Sequence, residues 1–150
     1  MSQHSATISW RAEGSFADNS YSRRHVWRFD GGAEIVASAS PDVVPVPRSD
    51  PFGVDPEEAL VASAASCHML WFLDLARQAG FAVTSYEDEA VAEMGRVGPG
   101  KVAITRITLH PRIAFADPAP DTAALDRLHH EAHERCFIAN TLNCEIVIAS

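Results

Sequence analysis

Apolar and polar positions alternate along several short stretches of the chain. Thr7–Trp10 and His25–Phe29 read as strands, and Asp30-Gly31-Gly32 supplies hairpin-turn chemistry because glycine accepts positive φ. Glu34–Ala39 returns as a third strand, so the N-terminus is expected to be an antiparallel meander. Five prolines between Pro41 and Pro56 mark an irregular connection. A long helix follows. Asp55 is a favourable N-cap, Pro56 suits the first helical position, and Glu58 completes a capping box. Gly80 is placed to stop the helix about 24 residues on. Its middle, Ala59–Cys67, is small or apolar on every side, which predicts burial all round, partly by another subunit. Phe81–Ala92 and Val102–Ile113 read as strands about a Gly95–Gly100 turn. Thr122–Arg135 has helical spacing and Leu142–Ile148 is a terminal strand. The order β-β-β-α-β-β-α-β predicts an α+β fold in a single domain, residues 1–150.

Composition narrows the partners. The 150 residues are 47% hydrophobic and 21% charged, a globular balance. A net charge of −8 without any Lys/Arg run argues against nucleic acid and anionic membranes as partners. The polar stretch Met1–Trp10 does not read as a secretory signal, and the most apolar run, Ala59–Phe72, is short for a bilayer span. A cytoplasmic location is the expectation. There, Cys67, Cys136 and Cys144 are expected to be reduced, catalytic or buried rather than structural disulfides.

Thiol peroxidase chemistry needs one thiolate to attack an O–O bond and a second thiol to condense with the resulting sulfenic acid. Two cysteines far apart in sequence meet this need only if the fold joins them, which spacing alone does not show. His129, His130 and His133 invite a metal reading, with Cys136 close by. A zinc site needs three or four converging ligands, and this spacing is no zinc signature, so surface or supporting histidines are favoured and no metal or cofactor is expected. His68 points about 100° around its helix from Cys67, which makes it a poor direct base for that sulfur.

The run Asp55-Pro56-Glu57-Glu58-Ala59-Leu60, leading into Ala64-Ala65-Ser66-Cys67-His68-Met69, resembles the central helix of the OsmC/Ohr family. Ala132 to Asn140, with Cys136 at its centre, resembles the family's second cysteine segment. Tyr21 to His25 and Ser38 to Pro41 resemble the OsmC-like branch. The resemblance implies the reduction of organic hydroperoxides, and less well hydrogen peroxide, by an intertwined homodimer with shared active sites. It implies Cys67 as the peroxidatic and Cys136 as the resolving residue. It also implies an Arg–Glu pair near the reactive sulfur: Glu57 matches the glutamate, and Arg23 is favoured over Arg24 by the branch pattern Tyr21-x-Arg23-x-His25. The expected reductant is a lipoylated protein or another dithiol.

These residue types suit the chemistry. A free thiol is only a few per cent ionised at neutral pH, and apolar surroundings reduce that further. Arginine stays charged and donates through a planar fork, and a carboxylate can orient it. Ten residues of straight helix separate Glu57 from Cys67 by about 15 Å and roughly 280° of rotation. Either the helix is broken or Glu57 serves the other subunit. Phe52, Met69, Phe72, Phe137 and Ile138 are candidates for an apolar pocket. Cys144, in a hydrophobic strand, is expected to be structural. The alternatives are a non-enzymatic redox-sensing or small-molecule-binding module on the same fold, and a metal-binding protein using His129, His133 and Cys136.

Overall fold

The computed structural model describes residues 1–149. The chain divides into two compact units, Met1–Ala59 and Leu60–Ser150, each described by itself. In the first, β1 (Ala6–Ser9), β2 (His25–Phe29) and β3 (Glu34–Ala37) form the expected antiparallel meander in the order β1-β2-β3. Ile8, Trp27 and Ile35 lie opposite one another across it, while Arg28 pairs with Glu34. Gly32 closes the turn at φ 87°. The proline-rich segment folds back onto β3, where Val54 bridges Ala37 in parallel. The buried Ser38 hydroxyl accepts the Asp50 amide at 2.9 Å. Gly53 is required here, because a Cβ would lie 2.9 Å from the Ala37 carbonyl carbon.

Helix α1 runs unbroken from Pro56 to Gln78. Its capping box forms as the sequence predicts. The Glu58 amide donates to Asp55 Oδ1 at 2.7 Å, and the Asp55 amide donates to Glu58 Oε2 at 3.1 Å. At the other end Gly80 takes φ 86°. Its amide reaches Arg77 O and the Phe81 amide reaches Ala76 O, a Schellman arrangement.

In the second unit, four strands replace the two expected after α1. They are β4 (Val83–Asp88), β5 (Val91–Gly98), β6 (Lys101–Leu109) and β7 (Pro111–Phe115). Asp88 pairs with Pro111 and Val91 with Thr108, so one antiparallel register runs through a kink in a single long ribbon. At the kink the Asp88 carboxylate, rather than a strand carbonyl, accepts the His110 amide at 2.7 Å. Pro111 has no amide to donate. The ribbon turns at Gly98–Lys101 rather than at Gly95. Gly95 sits within β5 because a Cβ there would meet Thr105 Cγ2 at 2.8 Å. Helix α2 (Thr122–Arg135) follows, and β8 (Glu145–Ile148) joins β6 in parallel, giving sheets β4-β7 and β5-β6-β8.

Two cores hold this unit together. Phe72, Leu75 and Ala76 of α1 meet Leu128 and Ala132 of α2 above β4 and β7. Ala64 packs on Ile107 and Leu109 of β6, with Ile146 and Ile148 of β8 alongside. Full burial of a side chain such as Phe72 contributes about 1.5–3 kcal/mol.

Within the chain, α1 is not buried on every side. Ala64, His68, Phe72, Leu75 and Ala76 form its covered stripe, while Ala62, Ser66 and Leu70 are exposed. By length and composition alone α1 would also pass as a membrane span, as core helices do.

Candidate active site

Cys67 lies in the middle of α1, half-buried, and Cys136 caps the C-terminus of α2, 1% exposed. Cys136 leaves helical geometry at ψ 111°, and the chain then wraps around its sulfur. Its amide still donates to His133 O, its carbonyl accepts the Asn140 amide, and its sulfur accepts the Ala139 amide at 3.4 Å. Both thiols are free, and Cys67 is a near neighbour of Cys136. Burial pushes the Cys136 thiol up to about 11, and the neighbouring Cys67 favours its protonated form further. Two cysteines 69 positions apart in sequence are thus brought together with unequal roles available to them.

Cys67 lines a cavity that Cys136 does not reach. The space, about 490 Å³, is walled by Leu70, Trp71, Phe137 and Ile138, with Asp74 at one side. Trp71 and Phe137 meet edge to face at 5.6 Å, and the Arg135 guanidinium lies 6.0 Å from the Trp71 ring centre. Asp74 is held by Arg77 at 2.8 Å and by Gln78. Of the apolar candidates, Phe137 and Ile138 line this cavity. Phe72 is fully buried in the core, Met69 is half-buried away from the lining, and Phe52, in the first unit, is 93% exposed.

Arg23 and Glu57 belong to the first unit. The Arg23 guanidinium donates to the Asn19 side chain and Tyr21 O and stacks 3.6 Å from the Tyr21 ring centre. Arg24 turns the other way, to Asp50 at 3.2 Å, as alternation along an extended chain requires. Glu57 is half-buried in the first turn of α1. Among the described residues the expected Arg23–Glu57 ion pair is not made within the chain, because Asn19 and Tyr21 occupy the guanidinium.

Sequence reasoning missed one interior feature. His68 is 2% exposed, and its Nε2 lies 3.1 Å from Nδ1 of His129, with the rings parallel at 5.4 Å. His129 also packs on Phe72 at 4.6 Å and is half-buried at the edge of the core. Burial, then the neighbouring His129 and His133, pushes His68 down to about 4. Burial also lowers His129, against the pull of Asp126 and Asp88. The signal was available: Leu125, Leu128, His129, Ala132 and Cys136 recur at 3–4-residue spacing and share one face of α2. Among the described residues no three His, Cys, Asp or Glu side chains are grouped to hold a metal ion. Cys144 packs half-buried beside Ile138 and Ile146.

The fold and site define a class of α+β protein whose long helix carries a cavity thiol backed by a buried one. The family model of OsmC-like proteins matches residues 48–150, and the chain belongs to that family. An OsmC-like protein of unknown function from Vibrio cholerae is 48% identical, with 99% of each chain covered and a TM-score of 0.96. Peroxiredoxin OsmC of Escherichia coli strain K12 is 30% identical over 96 residues, 64% of this chain. The match spans 65% of that protein's length. An organic hydroperoxide resistance protein OsmC from Legionella pneumophila shares the fold at 15% identity and a TM-score of 0.68, with 100% and 98% of the chains covered.

Proposed function

We propose that this protein is a thiol peroxidase that reduces organic hydroperoxides, with Cys67 as the peroxidatic and Cys136 as the resolving residue. The observation that carries this reading is the asymmetry of the thiol pair: Cys67 lines an apolar cavity, and Cys136 waits behind it, buried and protonated. The Cys67 thiolate attacks the outer peroxide oxygen and the O–O bond breaks. The alkoxide takes a proton and leaves as the alcohol, and Cys67 becomes a sulfenic acid. The Cys136 sulfur then attacks Cys67, its proton leaves with the hydroxide as water, and a disulfide forms. Two thiols are oxidised for each hydroperoxide reduced, and an external dithiol restores them. The walls of Leu70, Trp71, Phe137 and Ile138 suit an alkyl or aryl group.

The same proposal includes a homodimer. Helix α1 is continuous, so a broken helix does not bring Glu57 to its own Cys67. The exposed Ala62, Ser66 and Leu70 offer a small-residue face to a second chain. Glu57 of the partner subunit would then orient Arg23, released from Asn19 and Tyr21, to stabilise the thiolate and the departing alkoxide. Stopped-flow oxidation of the reduced protein by cumene hydroperoxide, followed by dithiothreitol-supported turnover, tests the function. Sustained turnover supports it. Thiol oxidation without turnover on any dithiol favours a redox sensor instead.

A further inference from the structure

The mechanism leaves the His68–His129 pair unused, although it costs a polar contact in the core. Both histidines stand on the two helices that carry the cysteines. His68 directly follows Cys67 on α1. His129 precedes Cys136 by seven residues, two helical turns, and so shares its face of α2. The core contact between the helices, Phe72, Leu75 and Ala76 against Leu128 and Ala132, is apolar, and the Arg135 guanidinium near the Trp71 ring adds a charged contact. Dispersion and burial are non-directional and tolerate small shifts of one helix along the other. The histidine bond is the one side-chain hydrogen bond between α1 and α2 among the described residues.

We propose, resting on the peroxidase reading, that His68 and His129 are positioning residues that fix the register of α1 on α2 and thereby hold Cys136 in line with the Cys67 sulfenic acid. The Nδ1 atom of His68 is buried without a partner. Placing the proton on Nε2 makes His68 the donor to His129 Nδ1 and leaves an unpaired acceptor, which proteins tolerate better than an unpaired N–H. The charged and titratable groups that act on the pair are His133 and Asp126 on α2 and Asp88 on β4. Burial keeps His68 neutral above pH 5, and a proton added to Nδ1 leaves the Nε2 donor in place. A misplacement of about 1 Å costs on the order of a hundredfold in a bond-forming step, so a single directional contact matters.

Three variants test this. His68→Phe keeps the ring and its stacking but removes the bond. His68→Gln keeps a donor near Nε2 and cannot be protonated. His129→Gln approaches the pair from α2. Each is given one equivalent of cumene hydroperoxide at pH 7.5, and dimedone traps the sulfenic acid that outlives disulfide closure. His68→Phe is expected to raise trapped Cys67 about tenfold or more, and His68→Gln to stay within about twofold of the wild type. Equal closure in His68→Phe and wild type overturns the proposal. The dithiol–disulfide equilibrium in dithiothreitol buffer reads the same register without peroxide. A weaker disulfide in His68→Phe therefore supports the clamp even if the peroxidase reading fails, and an unchanged one contradicts it.

Discussion

The Cys136 thiol is buried next to Cys67, which helps to hold its proton, and only Cys67 of the two reaches the cavity. This one relationship assigns different work to two chemically identical side chains. Cys67→Ser should lose peroxidase turnover entirely. Cys136→Ser should still consume one equivalent of hydroperoxide and gain a single oxygen, seen by intact-mass spectrometry, without completing a cycle. Activity retained in Cys67→Ser contradicts the assignment.

The same asymmetry predicts an order of alkylation. With its thiol raised to about 11, roughly one thousandth of Cys136 is ionised at pH 8. Iodoacetamide should label Cys67 first, and Cys136 should react only as the pH approaches 11 or the protein unfolds. Peptide mapping after timed quenches reads this directly; equal labelling of the two at pH 8 would show that burial does not hold the Cys136 proton.

Phe137 should tune specificity. Removing its ring in Phe137→Ala deletes the edge contact with Trp71, an aromatic pair worth about 0.5–1.5 kcal/mol. An increase of about two- to tenfold in KM for cumene hydroperoxide is expected, with the rate on hydrogen peroxide little changed. Parallel losses on both substrates would mean that Phe137 supports the site rather than the substrate.

Stability should depend on pH through His68. Its folded value lies near 4 against 6.5 when free, so the unfolded chain binds the extra proton between these values. The contribution is therefore complete above pH 6.5 and is lost as pH falls toward 4, on the order of 3 kcal/mol in all. Urea unfolding of the wild type should weaken across that window more steeply than unfolding of His68→Gln. Equal slopes would show that His68 is not buried neutral.

The capping box makes a simpler claim. Asp55→Ala removes the acceptor for the Glu58 amide and should cost about 1 kcal/mol, or roughly 3 °C in Tm. Glu58→Ala, which breaks the reciprocal bond from the Asp55 amide, should cost less. Thermal melts that leave both variants unchanged would remove the cap from the account.

Features governed by local chemistry were legible in the sequence. Asp55, Glu58 and Gly80 bracket α1 because they satisfy helix ends within a few residues, and β2 and α2 fall where the pattern places them. The kink between Asp88 and Val91 was hidden, because it depends on Asp88 capturing an amide 22 residues away. Gly95 looked like a turn because glycine serves both turns and close strand crossings, and only the facing Thr105 distinguishes them. At the site, Cys67 and Cys136 were readable through their motifs. The histidine pair was not, since spacing within one helix does not show that His68 and His129 face each other. The outer face of α1 reads as buried in sequence and is exposed in one chain, which is the difference a dimer would account for.

The central claim is tested most directly by thiol counting and disulfide mapping of the fully reduced protein after one equivalent of cumene hydroperoxide. The account predicts the loss of two thiols per chain, a Cys67–Cys136 linked peptide, and Cys144 left free. Three surviving thiols, or a disulfide that includes Cys144 in place of Cys136, would contradict it.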